Sequence, residues 1–219
     1  VNIETLVSPI EERFSSLHRE IKELEPDRYE FFADDHDDSQ LADEIEAWLA
    51  EQDEREPLGA SLRLNATQRY NTRQRAARAA LLGWRHRGVV HYTQRWQRWE
   101  GIKNRDHAAE GQYPNHADCS AYVTWCLWDA TRLYKAGDFV NGAGWRAGFT
   151  GTMTRHGVQV SYNKLITGDA IFYGGTWSRP HHVAIYVGRG LVVSHGSESG
   201  PLLLRWNYRP VNHCRRYIR

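Results

Sequence analysis

The sequence predicts an α+β domain, and three observations carry that expectation. One largely apolar helix follows Asp118, several short β-rich runs follow the helix, and helices and strands do not alternate strictly. The chain has 219 residues, of which 41% are hydrophobic and 25% charged. That length suits one domain, or one domain with an appendage. Its mean hydropathy is −0.68 and it carries 9 Trp, the composition of an aromatic-rich soluble globule. No run approaches the ~18 apolar residues of a membrane span. Three cysteines are too few for a disulfide-built scaffold.

The first segment is acidic. Residues 1–60 hold 19 Asp and Glu against 5 Lys and Arg, whereas residues 61–219 hold 8 against 23. Ser8-Pro9 starts a helix in which Ile10, Phe14, Leu17, Ile21 and Leu24 recur at helical spacing. A second helical segment, Ser39 to Ala50, aligns Leu41, Ile45, Trp48 and Leu49. The intervening run Asp34 to Asp38 lacks the glycine and glutamate of a calcium loop and reads as a solvated cap. Residues 1–60 are therefore expected to form an acidic helical extension, and residues 61–219 a catalytic domain. The extension is expected to contact the basic domain or a separate protein partner.

The middle of the chain begins with a basic helix around Gln68 to Leu82. Basic and aromatic residues then interleave from Trp84 to Ile102. Such interleaving suits nucleic acid, but no DNA- or RNA-binding signature accompanies it, and none is expected to bind. Trp96 and Trp99 are spaced as helical neighbours, which predicts partial burial.

Asp118-Cys119-Ser120 opens the apolar helix. Asp118 is a suitable N-cap, which puts Cys119 in the first turn, where unpaired N–H groups and the helix dipole favour a thiolate. Tyr122, Val123, Cys126, Leu127 and Ala130 bury the rest. The same residues also suit a buried cysteine that behaves as a small hydrophobe. Further on, Gly168 to Tyr173 reads as a turn entering a strand. His182 to Val187 and Leu191 to His195 read as a hairpin around Arg189-Gly190. With Gly188 opposite Leu191, an unbroken ladder sets Ala184 opposite His195, and both imidazoles share one face; a three-residue loop without a bulge would set them on opposite faces. His182 would then accept the Cys119 proton, and His195 would orient His182. These three residues are also legal zinc ligands, but no pair has close helical or knuckle spacing, and no metal is expected.

Together these segments resemble the NlpC/P60 family of papain-like cysteine peptidases. The elements occur in family order: Asp118-Cys119-Ser120, then Leu165 to Tyr173, then His182 to Gly188, then His195. The resemblance spans Tyr92 to Tyr217. Trp99-Glu100-Gly101 is a partial echo of the family's aromatic-Gly-Gly element. His91 to Gln94, Gly148 to Thr152 and Ser194 to Pro201 are similar to endolysins of actinobacterial phages.

The resemblance implies a papain-like fold and a peptidoglycan hydrolase without a cofactor. Cys119, His182 and His195 would be catalytic, and Tyr92, Asp118, Ser120 and Glu198 would bind substrate. The implied target is a stem-peptide amide, most often between D-glutamate and diaminopimelate. An amidase, or an antibacterial toxin of the same fold, is the alternative enzyme. A non-catalytic wall-binding or virion module is the alternative outside enzymes. The expected place of action is the bacterial cell wall, reached by phage delivery or by secretion, although no signal-peptide pattern opens the sequence.

Overall fold

The computed structural model describes residues 64–103 and 111–219. The acidic helical segment expected over residues 1–60, its Asp34 to Asp38 loop and the boundary near residue 60 lie outside the described residues. In chain order the described elements are α1 (Ala66–Arg85), β1 (His91–Tyr92), β2 (His116–Ala117), α2 (Cys119–Thr131) and α3 (Thr150–Met153). There follow β3 (Val158–Val160), β4 (Ala170–Tyr173), β5 (His182–Gly188), β6 (Leu191–Ser194), β7 (Leu202–Arg205) and β8 (Val211–Arg216). The arrangement is α+β, as expected.

Asn65 starts α1 by a reciprocal pair of bonds. Gln68 N–H donates to Asn65 Oδ1 and Asn65 N–H donates to Gln68 Oε1, both at 2.9 Å. The buried side of α1 includes Ala76, Ala77 and Ala80, small residues that let a second helix approach closely. That neighbour is α2, in which every residue but Asp129 is buried. A helix apolar on all sides belongs in a core. The Tyr122 hydroxyl donates to the Ala80 carbonyl at 2.6 Å and so ties α2 to α1 by a buried polar bond.

Six strands form one sheet in the order β3-β8-β4-β5-β6-β7, with every neighbouring pair antiparallel. Strand alternation sends Phe172, Val183, Ile185 and Val193 toward the helices. Ile171, Tyr173, Ala184, Val192 and Cys214 form a second cluster on the other side, where Trp206 and Tyr208 pack against them. A separate parallel pair joins β1 to β2 and sets His91 opposite His116.

Two local devices position the central strands. Gly168 takes φ +87°, a conformation that favours glycine, and delivers Asp169 to the start of β4. Asp169 is fully buried and accepts two bonds from Arg216, from Nε at 2.9 Å and from the terminal nitrogen at 2.8 Å. This bidentate pair clamps β4 to β8.

The second device is the β5–β6 hairpin. Arg189 and Gly190 turn it with φ 50° and 76°, and Gly188 faces Leu191, as expected. The ladder is not unbroken, however. It shifts between Tyr186 and Gly188, so that Ala184 faces Ser194 and not His195. Gly188, at φ 102°, accommodates the bulge. The expected common face for the two histidines is thereby corrected, because one extra residue in β5 turns His195 to the opposite side.

Close approach at the α1–α2 seam yields a stability prediction. A methyl group on Gly83 would press into the Tyr122 ring, with Cε2 and Cζ at 2.9 Å. Gly83→Ala should lower stability by about 1–3 kcal/mol through overpacking, read from the urea midpoint at unchanged m-value.

Candidate active site

Cys119 sits at the first position of α2 and is buried, as is the rest of that helix apart from Asp129. Asp118 caps that helix: its Oδ1 accepts from Ala121 N–H at 2.7 Å and from the Ser120 hydroxyl at 2.8 Å. The other carboxylate oxygen pairs with Arg98, which also donates to the Gly148 carbonyl at 3.0 Å. Asp118 and Ser120 are therefore buried and already satisfied. The Asp118 carboxylate thus holds the helix start, with the Ser120 hydroxyl donating to it.

Arg98 comes from a 3-10 turn, Trp96–Trp99, and not from a helix face. The two tryptophans consequently part company: Trp99 is 8% exposed and Trp96 68%.

The sulfur lies against β5. The backbone N–H of Val183, next to His182, reaches Cys119 and lowers its pKa, as do the amides of Ser120 and Cys119 itself. Burial outweighs these donors. Together with the nearby Asp118 charge it pushes the thiol up to about 12, so the thiolate expected from the helix dipole gives way to a neutral thiol.

His182 is also buried and is pushed down to about 3, by burial first and then by the Arg209 and His195 charges. Its Nε2 lies 2.8 Å from Ser194 Oγ, and that oxygen lies 2.8 Å from the Tyr208 hydroxyl. Nδ1 has no hydrogen-bond partner among the described residues, and no hydrogen bond joins the ring directly to the Cys119 sulfur. The charge of Cys119 nevertheless acts on both Tyr92 and Tyr208, so both phenols lie near the sulfur.

His195 does not reach His182 by a hydrogen bond. Its ring is 1% exposed and packs between Tyr92 at 5.6 Å and Tyr122 at 5.5 Å. Neither ring nitrogen meets a partner at hydrogen-bond geometry. Burial lowers its pKa, and the nearby His91 and Gly200 carbonyls oppose part of that shift. The expected orienting role of His195 is corrected: Ser194 occupies the position beside His182 because of the bulge in β5.

Tyr92 lies near the sulfur, and the Glu198 charge acts in turn on Tyr92. The Tyr92 hydroxyl accepts from Gln94 Nε2 at 3.0 Å, and burial, followed by the Cys119 charge, raises its pKa. Glu198 Oε1 lies 3.9 Å from Arg209, whereas its Oε2 is buried without a hydrogen-bond partner. Among the described residues, no three His, Cys, Asp or Glu side chains are grouped so as to hold a metal ion.

Sequence reasoning missed Arg98, Ser194, Tyr208 and Arg209. Gly188 was the available signal for Ser194, since a glycine within a strand often marks a bulge. Tyr208 and Arg98 reach the site through tertiary contacts that no local pattern announces.

The capped helix, its cysteine and the histidine strand all fall within residues 98–203, which match the NlpC/P60 family. The chain carries an NlpC/P60 domain. Tyr92 precedes the matched segment of this domain and Tyr208 follows it. No curated protein matches the chain. Among solved structures, the chain is similar to NlpC2 from Trichomonas vaginalis at 19% identity and TM-score 0.43, covering 73% of this chain and 50% of that one. It is similar to a hypothetical invasion protein of Mycobacterium tuberculosis at 18% identity and TM-score 0.48, covering 82% of this chain and 83% of that one. It is also similar to the NlpC/p60 domain of the peptidoglycan hydrolase SagA at 17% identity and TM-score 0.43, covering 64% of this chain and 97% of that one. The chain spans half the length of the first of these and 44% of NlpC1 from the same Trichomonas species.

The buried histidines of this NlpC/P60 domain predict acid sensitivity. His182 and His213 are pushed by burial down to about 3 and about 4, from 6.5. As pH falls, the unfolded chain takes up these protons first, so their stabilisation is complete above pH 6.5 and is lost on descending through 4 to 3. The melting temperature should therefore drop between pH 6.5 and 4. His213→Phe, which keeps the ring that stacks on Phe172 and Trp177, should flatten part of that slope.

Proposed function

We propose that this protein is a cysteine hydrolase of peptidoglycan that cleaves an amide of the stem peptide, with Cys119 as nucleophile and His182 as general base. The observation that carries the reading is the seating of Cys119 at the capped start of a buried helix, against the first residues of the His182 strand. Membership in the NlpC/P60 family supports the substrate class, and the relative SagA is named a peptidoglycan hydrolase. The net positive charge of residues 61–219 suits a polyanionic wall, as steering that salt screens.

The chemistry follows from a neutral resting pair. As substrate enters, the Cys119 proton passes to His182 Nδ1 while the sulfur attacks the amide carbonyl. Catalytic hydrogen bonds of this kind tighten to ~3–4 Å only when the substrate is bound. The tetrahedral oxyanion lies at the start of α2, where the Cys119 backbone N–H and the helix dipole stabilise it. The His182 imidazolium then donates its new proton to the leaving amine. A water that loses its proton to the same nitrogen releases the acyl group, and the thiol is restored.

Tyr92 and Glu198 line the substrate side of this reading. Glu198 supplies a carboxylate oxygen with no protein donor, a fit for an amine or amide N–H of the stem peptide. The finer assignment is an endopeptidase cutting between D-glutamate and diaminopimelate, acting at the bacterial wall as a phage lysin or as a secreted enzyme. Asp118 contributes indirectly, by orienting α2 under the grip of Arg98.

The test is digestion of purified diaminopimelate-type walls, followed by mass analysis of the fragments. The wild type should release fragments split within the stem, and Cys119→Ala should reduce release at least 1,000-fold with the melting temperature retained. Cleavage between sugar and peptide would replace the endopeptidase with an amidase. Undiminished release by Cys119→Ala would overturn the hydrolase reading.

A further inference from the structure

A histidine that takes a proton on Nδ1 must already carry one on Nε2. The arrangement around His182 bears directly on that requirement. Its Nε2 faces Ser194 Oγ at 2.8 Å, and a serine hydroxyl both donates and accepts. Ser194 alone would accordingly support either tautomer. With its proton turned toward the ring, it would hold Nε2 as an acceptor and leave the ring's proton on Nδ1, where it blocks the base.

Tyr208 breaks that symmetry. Its hydroxyl lies 2.8 Å from the same serine oxygen and can accept the Ser194 proton, which leaves Ser194 a lone pair for the Nε2 proton. The surroundings favour this sense. Glu198 Oε2 is a buried carboxylate oxygen without a donor, and its charge acts on Tyr208, whereas the Ser194 bond lowers the Tyr208 pKa, as a bond donated to the phenol oxygen does. Arg209 lies 5.3 Å over the Tyr208 ring and 3.9 Å from Glu198 Oε1, so one cation braces the ring and sits beside the carboxylate. Tyr173 packs on the Tyr208 ring at 5.0 Å, and its own hydroxyl is engaged by the Trp206 carbonyl at 2.8 Å. No other hydroxyl competes for Ser194 Oγ among the described hydrogen bonds.

We propose that Ser194 and Tyr208 form a one-way hydroxyl relay that holds His182 with its proton on Nε2, which makes Tyr208 a positioning residue for the Cys119–His182 pair. The inference rests on the catalytic reading of that pair. No proton leaves the relay during the reaction. When His182 gains the Cys119 proton, the Nε2–H bond to Ser194 strengthens, and the two hydroxyls stay as they were.

The test reads the tautomer directly. In the resting full-length protein, labelled with nitrogen-15 at histidine, the His182 ring should show a protonated Nε2 and an unprotonated Nδ1 at neutral pH. Tyr208→Phe keeps the ring and its packing but lets Ser194 turn its proton to the imidazole, so the Nδ1–H form should become populated. On soluble muropeptides the same variant should lose about tenfold in kcat at unchanged KM, a fraction of what a general base contributes. Ser194→Ala should cost at least as much, and adding Tyr208→Phe to it should cost nothing more, because the two act through one bond. An unchanged His182 tautomer in Tyr208→Phe, or additive losses in the double variant, would overturn the relay. Should Tyr208→Phe fail to fold, Ser194→Ala alone decides: an unaltered nitrogen spectrum then rejects the proposal. The spectra need no substrate, so failure of the hydrolase reading would show separately, in the wall digest.

Discussion

The burial of α2 is the constraint on which the rest of this molecule depends. Twelve of its thirteen residues are enclosed between α1 and the sheet, so the helix cannot shift without opening the core. Its first residue is the cysteine, which places a soft, reactive atom on a rigid mount. Asp118 sets where the helix begins, and Arg98 secures Asp118 from the outside. A motif of three residues is thus held from outside its helix by the Arg98 side chain and the Val183 amide.

That mounting has an electrostatic consequence. The helix start and three backbone amides favour a thiolate, but the enclosing apolar wall and the Asp118 carboxylate oppose it and prevail. His182 is enclosed in the same way, with Arg209 adding to the cost of a second positive charge. Both partners therefore rest uncharged. In the proposed mechanism charge arises only as substrate arrives, when the developing oxyanion offers the imidazolium a counter-charge. A resting thiol of this kind is also a poor target for oxidants and alkylating agents, which attack thiolates.

Much of this was legible in the amino-acid order. Asp118 as a cap, the wholly apolar helix after it, the Gly168-Asp169 entry to β4 and the Arg189-Gly190 turn each have a local chemical signature, and each formed where expected. Two features lacked such a signature. The Arg98–Asp118 pair joins residues 20 apart through a turn whose helical spacing was misleading. The facing of β6 was undetermined for a different reason. Leu191, Val192 and Val193 are apolar throughout, so hydrophobic alternation, which ordinarily selects a register, had nothing to distinguish. Ser194 and His195 follow that featureless run and inherit its ambiguity.

The bulge at Val187 works as a vernier for this reason. Interchanging Val192 and Val193 between the two sides of the sheet alters little in either cluster, so the core is nearly indifferent to a slip of one residue. What the slip would exchange is the strand's last pair, an alcohol for an imidazole, beside the His182 ring. A glycine that tolerates a positive backbone angle thereby decides which chemical group serves the histidine. A change in this turn would trade one companion for the other, with the hydrophobic interior left untouched.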